Sequence, residues 1–388
     1  MGILNSIKSK KPDDGYYHIE NLINAIPDAK YYIVYSLRSN GKSYSALEYI
    51  LKQYLAGKGQ GAIIRRYDLD FKQRRGGAMF APLVSNGLVR KYSHDTYNTI
   101  QYQAGEFYLV YKNEETGEVE SRSAEPFCYG FSLTGNEHDK STGYPNVTTI
   151  LFDEFISRDG YLTDEFVILM NQISTIIRRR DNVKIFMMGN TINPYNPYFE
   201  EMGLNHARQQ KMGSVDVYEY GDSGLKIACE YAEKPTDSYD SDIYFAFDNP
   251  KLHMITDGEW ELSIYPHCPI KIKPKDVKFK YFIIFKEHLL QCEIIMVDKY
   301  NFTFIHKKTS ELKYPEKELI FDIEQNPLYN VGRKIQTPIN KIQQKIAWYF
   351  KADKVFYDSN LTGEIVRNYI EWSGKLWHKK NLYRQSET

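Results

Sequence analysis

Apolar residues in the first half of the chain form short runs that alternate with helical patterns, which predicts strands alternating with helices. Tyr31–Tyr35 is predicted to be a buried strand, the polar turn Ser36–Ser43 follows it, and an amphipathic helix begins at Lys42 and ends near Ala56. After a glycine-rich break, residues 62–67 are predicted to form the next strand. A strand–helix–strand unit of this kind indicates a parallel sheet with a right-handed crossover.

A second buried strand is predicted near the middle of the chain. Thr148–Phe152 is a continuous β-branched and apolar run, as expected of a strand buried on both faces, and it ends in Asp153-Glu154. A helix is predicted over residues 163–177, ending in three consecutive arginines, and residues 183–190 are predicted to form a further buried strand. The pattern therefore continues as α/β.

The pattern changes near residue 200, and a chain of 388 residues is long enough for two domains. Residues 1–199 are predicted to form the α/β domain, with an antiparallel hairpin inserted over residues 101–131. Residues 200–242, rich in charged and small residues, are predicted to be a connector. Residues 243–388 combine a run of strands with later helices, which indicates a smaller α+β domain.

The charge balance excludes a strong overall field, since 50 basic and 50 acidic side chains cancel. Two local basic runs, residues 72–75 and 271–280, either contact phosphates or are solvated surface, and the first is predicted to be a mobile loop. The four cysteines are widely spaced, which predicts reduced, buried thiols of a cytosolic protein instead of zinc ligands. Apolar runs fall well short of the roughly 20 residues of a membrane span.

The turn Ser36-Leu-Arg-Ser-Asn-Gly-Lys-Ser43 has the spacing of a phosphate-binding loop, with Ser36 in place of the first glycine. In such a loop, Gly41 allows a close approach of the backbone, and the amide groups and the helix N-terminus face the phosphates. Lys42 would reach the β- and γ-phosphates, and the Ser43 hydroxyl would hold Mg2+. The alternative is that the Gly-Lys-Ser triplet occurs by chance.

Two carboxylates at the end of a buried strand require an explanation, because unpaired buried charge is costly. Beside a phosphate loop, Asp153 would bind Mg2+ through water or through the Ser43 hydroxyl, and Glu154 would orient and activate the attacking water. Asn190, at the end of the next buried strand, would contact the γ-phosphate or that water. The alternative is an Asp-Glu helix cap, but the combination with the loop predicts a nucleotide-hydrolysing site.

The segment Gly143-Tyr-Pro-Asn-Val-Thr-Thr-Ile-Leu-Phe-Asp-Glu-Phe-Ile156, together with Asn190 and Asn196-Pro-Tyr-Phe199, resembles the DNA-packaging ATPases of phi29-like bacteriophages. The resemblance covers roughly residues 31–200 and is weaker over residues 357–372. It implies a P-loop NTPase domain of the additional-strand, catalytic-glutamate type. It also implies a smaller α+β C-terminal domain that is RNase H-like, a vestigial nuclease that contacts nucleic acid or portal.

The resemblance implies an ATP-driven motor that translocates viral double-stranded DNA into a preformed prohead, with ATP and Mg2+ as cofactors. The expected partners are double-stranded DNA, further copies of the chain in a ring that is typically pentameric, and the portal, also called the connector, of the prohead. Whether a structural packaging RNA joins motor and portal stays open. The protein is expected in the host cell cytoplasm, where it docks transiently at the portal vertex of the prohead. No membrane is expected among its partners.

The resemblance also assigns roles by position. It implies that Lys42 and Ser43 hold the phosphates and Mg2+, that Asp153 assists the metal, and that Glu154 is the catalytic carboxylate. Arg38, inside the loop, is implied to contact the γ-phosphate or a switching partner. The other residues of the implied nucleotide site are Ser36, Asn40, Gly41 and Asn190.

Two basic residues are implied to act on the ATP of a neighbouring subunit. Arg178 matches the position of a trans-acting arginine finger, and Lys140 matches a second basic residue at the same interface. A structural explanation also exists for Arg178, because three arginines at the C-terminus of a helix interact favourably with its dipole.

Two further functions remain as alternatives. A terminase-like ATPase would also cleave DNA with its C-terminal domain, and a non-hydrolysing protein would bind nucleotide only as an assembly scaffold. Asp298 is a candidate metal-binding carboxylate, but Asp322, Asp353 and Asp358 do not form a convincing set with it. The C-terminal domain is therefore predicted to have no nuclease activity.

Overall fold

The computed structural model describes residues 3–10, 15–38, 40–72, 74–135, 143–157, 160–191, 193–233, 264–268, 270–298, 300–324 and 330–385. The chain divides into two compact units, Met1–Glu261 and Leu262–Thr388. Each unit has its own sheet, so each is described by itself.

The first unit is built on one large mixed sheet with helices. Its strands are β1 (Ile3–Lys8), β2 (Tyr31–Ser36), β3 (Gln60–Arg65), β4 (Thr99–Gln103), β5 (Glu106–Lys112), β6 (Val119–Arg122), β7 (Cys128–Ser132), β8 (Val147–Asp153), β9 (Lys184–Asn190), β10 (Ser214–Tyr220) and β11 (Leu225–Tyr231). Its helices are α1 (Ile19–Ala25), α2 (Lys42–Leu55), α3 (Arg74–Ala78), α4 (Ala81–Ser85), α5 (Leu88–Ser93), α6 (Glu165–Ile177) and α7 (Pro197–Glu201).

Six neighbouring strands in the middle of this sheet are parallel, in the order β11-β2-β9-β8-β3-β7. Strand β9 lies between β2 and β8, so the strand before the turn Ser36–Ser43 is separated by one strand from the strand that ends at Asp153. Because parallel strands end at the same edge of a sheet, Ser36, Arg65, Asp153 and Asn190 all lie at one edge. The predicted parallel α/β arrangement is confirmed.

The central strands are buried on both faces, which explains their continuous apolar sequences. In β2, Ile33 and Tyr35 pack on one face with α6, whereas Tyr32 and Val34 pack on the other face with α2. All four residues are fully buried. This two-sided packing fixes the end of β2, and therefore the position at which the loop to α2 begins.

Residues 214–231 lie in the range predicted to be a connector, yet they form β10 and β11 of the large sheet. Strand β11 pairs in parallel with β2, and β10 pairs with β11 and β1. The reason is that β2 has an open side opposite β9, where the apolar positions of β11 are buried. The sheet therefore continues past residue 199.

The predicted hairpin is present, with different boundaries. The run predicted as one strand over residues 101–111 is broken by Ala104 and Gly105, which have φ values of 48° and 89° and make the two-residue turn between β4 and β5. Strand β7 leaves the hairpin region to pair in parallel with β3. The basic segment after β3, predicted to be a mobile loop, is partly helical because it contains α3.

The described residues of the second unit form a six-stranded sheet in the order β16-β15-β12-β13-β14-β17, with two helices. Strands β12, β13 and β14 form an antiparallel meander, and β15 pairs in parallel with β12. The predicted α+β class of this part is confirmed. The elements are β12 (Val277–Phe285), β13 (His288–Val297), β14 (Tyr300–Lys307), β15 (Ile320–Asp322), β16 (Val331–Gly332), β17 (Val355–Tyr357), α8 (Lys341–Lys351) and α9 (Asn360–Gln385).

The four cysteines are free thiols. Cys128, Cys229 and Cys292 are buried, and burial raises the pKa of each of these thiols well above its ordinary value. Cys268 is half-buried, which differs from the prediction that all four are buried. Among the described helices, none is at once long and apolar enough to cross a membrane.

Candidate functional site

The loop between β2 and α2 has the backbone of a tight turn into a helix. Gly41 has a φ of 87°, a left-handed conformation that favours glycine, and its carbonyl accepts the Ser45 N–H at 2.8 Å as α2 begins. Ser36, in contrast, is the extended last residue of β2, and its hydroxyl donates to the Leu37 carbonyl at 2.7 Å. The conformation at this position does not require glycine.

The Lys42 side chain is buried inside the loop. Its Nζ donates to Asn190 Oδ1 at 2.6 Å and to the Leu37 carbonyl at 3.3 Å. Burial lowers the pKa of Lys42 to about 8; the negative charge of Asp153 opposes this shift, and the positive charge of Arg38 adds to it. The structure therefore brings together the loop lysine and the residue at the end of β9.

Asp153 and Ser43 are also in direct contact. The Ser43 hydroxyl donates to Asp153 Oδ1 at 2.8 Å, and the Glu154 backbone N–H donates to the same oxygen at 3.1 Å. The Asp153 side chain is buried, whereas that of Glu154 is 66% exposed. One carboxylate is thus fixed against the loop, and its neighbour faces solvent.

Arg65, a residue for which the sequence suggested no role, joins the two carboxylates. Its Nη2 lies 2.8 Å from Asp153 Oδ2, and its Nη1 lies 2.9 Å from Glu154 Oε2. Burial alone would lower the pKa of Arg65, but the charges of Asp153 and Glu154 raise it above its ordinary value. The sequence signal that could have identified Arg65 is its position at the end of β3, the strand that pairs with β8.

Arg66 also supports this site, through hydrogen bonds to backbone carbonyls beside Asp153. Its guanidinium donates to both carboxylate oxygens of Glu165 at 2.9 Å and to the Phe155 carbonyl at 2.9 Å. It also donates to the Glu154 carbonyl at 3.2 Å. Glu154 has a φ of 59°, a conformation that costs a non-glycine residue energy, so these bonds help to hold it. The Tyr198 hydroxyl is a further donor to Glu165.

Replacing Arg66 with alanine is expected to lower the free energy of unfolding by about 3–5 kcal/mol, because the fully buried Glu165 carboxylate would lose its charged partner. Urea denaturation measures the change. Arg90→Ala is the matched control, since its partner Glu114 is 75% exposed and such surface pairs contribute about 0–1 kcal/mol. Equal losses in the two variants would contradict a structural role for the buried pair.

The loop also contains a buried donor that lacks a partner in the part of the chain that the structure describes. Asn40 is 1% exposed, and its Oδ1 accepts the Lys42 N–H at 3.2 Å. Its Nδ2 has no hydrogen-bond partner among the described residues. Because a buried unsatisfied donor is unfavourable, this amide is suited to an oxygen atom of a bound group.

The three arginines after α6 lie near the opposite edge of the sheet. Arg180 donates to the carbonyls of Tyr144 and Ile176 at 2.9 and 3.0 Å, and to the carbonyl of Val147, the first residue of β8. The exposed Arg178 guanidinium is near Gly143. Since β8 has seven residues, this region is roughly 20 Å from Asp153. Lys140 lies outside the described residues.

The fold and the site define an α/β protein in which a strand, a turn and a helix place a lysine beside two carboxylates at the carboxyl edge of a parallel sheet. Residues 124–221 match the family profile of the Podovirus DNA encapsidation protein (Gp16). The predicted resemblance to the DNA-packaging proteins of phi29-like bacteriophages is confirmed.

The chain is 32% identical over 181 residues to the DNA packaging protein of Bacillus phage B103, covering 44% of this chain and 47% of that protein. It is 27% identical over 169 residues to that of Bacillus phage phi29, covering 43% of this chain and 44% of that protein. The aligned part thus spans less than half of either relative. A chain of the Phi-28 gp11 DNA packaging motor has a TM-score of 0.45 at 15% identity, with 93% of this chain and 97% of that chain covered.

Proposed function

We propose that this chain is the ATP-hydrolysing subunit of a motor that moves viral double-stranded DNA into a preformed prohead. The observation that carries the proposal is the cluster at one sheet edge, where Lys42 contacts Asn190 at 2.6 Å and Ser43 contacts Asp153 at 2.8 Å. The similarity to the phage DNA packaging proteins supports the same function. The domain would be a P-loop NTPase of the additional-strand, catalytic-glutamate type, which the position of β9 supports.

The residues of the loop fit ATP with Mg2+. The Asn40 amide and the Lys42 ammonium are buried donors for phosphate oxygens at the N-terminus of α2. The Ser43 hydroxyl and the Asp153 carboxylate offer oxygen atoms for Mg2+, which usually takes one or two protein ligands and completes its shell with phosphates and water. Held by these two groups, Mg2+ would neutralise charge that develops on the phosphates.

Glu154 is the proposed catalytic carboxylate. Its side chain is exposed at the mouth of the site, where it would accept a proton from the attacking water. Asp153, only one residue away, is buried and in contact with Ser43, so it is not placed to do this. The two carboxylates therefore have separate roles, in metal binding and in activation of water.

Arg178 is proposed to complete the site of a neighbouring subunit. The roughly 20 Å between the two ends of β8 exceeds the reach of an arginine side chain, so Arg178 is too far from Asp153 of its own chain. A ring of identical subunits brings the two edges of different chains together, as heterologous contacts do when they close. Lys140 is proposed to act at the same interface.

The second unit is proposed to be an RNase H-like, vestigial nuclease domain. Its antiparallel meander flanked by parallel strands supports this fold, and the exposed lysines of residues 271–280 support contact with phosphate backbones. The assembled protein would be a pentameric ring at the portal vertex in the host cytoplasm. A structural packaging RNA is a further proposed partner.

The proposal is tested by measuring ATP hydrolysis by the full chain with and without double-stranded DNA and proheads. Stimulation by both, with Mg2+ required, is the expected result. A chain that binds ATP but never hydrolyses it, even in the assembled particle, would instead be a nucleotide-binding scaffold.

The same protein preparation tests a second candidate function, DNA cleavage by the C-terminal unit. In the described residues, no three histidine, cysteine, aspartate or glutamate side chains come together as a metal site. Nicking of plasmid DNA by the full chain with Mn2+ would establish the terminase-like function.

The affinity for nucleotide is expected to fall as the pH rises above about 8, because burial lowers the pKa of Lys42 to about 8. Below this pH the ammonium is charged and binds phosphate; above it, binding requires uptake of a proton, so affinity decreases up to about tenfold per pH unit. Calorimetric titration between pH 7 and 9.5 measures the effect. Lys42→Arg keeps its charge over this range, and an equally steep fall in that variant would contradict the assignment.

A further inference from the structure

Residues 15–19, here called the strap, lie directly beside the phosphate loop. The Tyr17 backbone N–H donates to the Asn40 carbonyl at 2.9 Å, and the Ile19 N–H donates to Ser45 Oγ at 2.8 Å. Asn40 belongs to the loop and Ser45 to the first turn of α2. Two backbone donors therefore fix the strap against the residues that are proposed to surround the phosphates.

A buried carboxylate anchors the strap from the other side. The Tyr17 hydroxyl donates to Glu230 Oε2 at 2.6 Å, and the Ser9 hydroxyl donates to Oε1 of the same residue. Glu230 is 3% exposed on β11, and burial raises the pKa of its carboxyl. Because Tyr17 is fixed through both its backbone and its side chain, the side chain of the preceding residue also has a defined position.

That neighbour is Tyr16, which is 61% exposed although it lies against the loop. Its Cδ1 is 3.5 Å from the position that a Cβ atom on Gly41 would occupy. The large aromatic ring thus lies beside the loop glycine, within van der Waals distance of any side chain placed there, and still presents most of its surface to solvent. Tyr16 stands out from Tyr17 and Ile19, which are buried in the same segment.

We propose that Tyr16 forms a stacking surface for the aromatic base of the bound nucleotide, an inference that rests on the proposed function. The terminal phosphates would lie at the buried end of the loop, near Lys42 and Asn190, so the ribose and base extend outward past Gly41. There the Tyr16 ring offers a flat face, and aromatic side chains stack on any nucleobase. Because the strap is held in advance, little conformational entropy is lost on binding.

The experiment compares a ligand that has a base with one that lacks it. Calorimetry on the full chain would measure binding of the slowly hydrolysed ATP analogue AMP-PNP and of inorganic tripolyphosphate, each with Mg2+. In Tyr16→Ala, the affinity for AMP-PNP is expected to fall about tenfold to a hundredfold, while that for tripolyphosphate stays unchanged. Tyr16→Phe keeps the ring and is expected to bind both ligands like the unmodified protein.

Tyr314→Ala is the matched control, since Tyr314 is 58% exposed in the second unit. An equal loss for both ligands in Tyr16→Ala would mean that Tyr16 acts on the loop, and no loss for either would mean that it does not touch nucleotide; each overturns the stacking proposal. If the unmodified protein binds neither ligand, the proposed function fails and the stacking surface with it. Melting temperatures of the variants confirm that the exposed substitution leaves the fold intact.

Discussion

Replacing Glu154 with glutamine is expected to reduce ATP turnover by about 10²–10⁴-fold, the usual contribution of a general base, while nucleotide binding is retained. The amide cannot accept a proton from water, yet it keeps the shape of the side chain. Its oxygen still accepts a hydrogen bond from Arg65, which lies 2.9 Å from the native carboxylate, so the local structure should persist. Single-turnover hydrolysis and equilibrium nucleotide binding separate the two effects.

Glu118→Gln provides the matched control, because this glutamate is exposed in the turn before β6 and far along the chain from the loop. Its turnover should equal that of the unmodified protein. If Glu154→Gln hydrolyses ATP at the normal rate, Glu154 is not the base, and the carboxylate assignment is wrong. If it loses nucleotide binding instead, the residue serves binding and not activation of water.

Replacing Arg178 with alanine is expected to reduce turnover by about 10³–10⁵-fold in the assembled ring, the range for an arginine that neutralises charge in phosphoryl transfer. The variant should still bind nucleotide, since its own loop is unchanged. Arg179→Ala is the control, because Arg179 is the next residue and also exposed. Normal hydrolysis by Arg178→Ala rings would refute the role.

Mixed rings distinguish action in trans from action in cis. Neither Glu154→Gln nor Arg178→Ala subunits should hydrolyse ATP alone. In a mixture, an Arg178→Ala subunit retains Glu154, and a Glu154→Gln neighbour can supply Arg178 to it, so turnover should return in part. Without any recovery in rings shown to contain both variants, Arg178 would have to act within its own chain.

The central strands and the loop could be predicted because their chemistry is local. A continuous apolar run such as residues 148–152 is readable as a strand buried on both faces, and the carboxylates after it then fall at a sheet edge. The parallel direction of β2 and β3 follows from the helix that connects them, whereas the places of β9 and β8 between them do not. The proximity of Lys42 to Asn190, and of Ser43 to Asp153, is a consequence of the strand order.

Other features depend on pairings between distant parts of the chain. Strand β11 pairs with β2, and β10 with β11, after about 180 intervening residues, and a Tyr-rich, charged stretch gives no local sign of that pairing. For Arg65 and Arg66 the sequence predicts only the end of a strand, because their carboxylate partners come from β8 and α6. The sequence also favoured a connector where the sheet in fact continues.

At Glu154, stability and the proposed chemistry favour different residues, because the backbone there is left-handed. Glycine accepts a φ of 59° without cost, and asparagine nearly so, whereas glutamate adopts it only because neighbouring groups hold it there. Selection of variants for heat resistance alone should therefore favour glycine at position 154 and yield a protein that is more stable but does not hydrolyse ATP. The proposed catalytic residue thus stands against the preference of its own backbone, and a more stable variant that keeps Glu154 would have to gain its stability elsewhere.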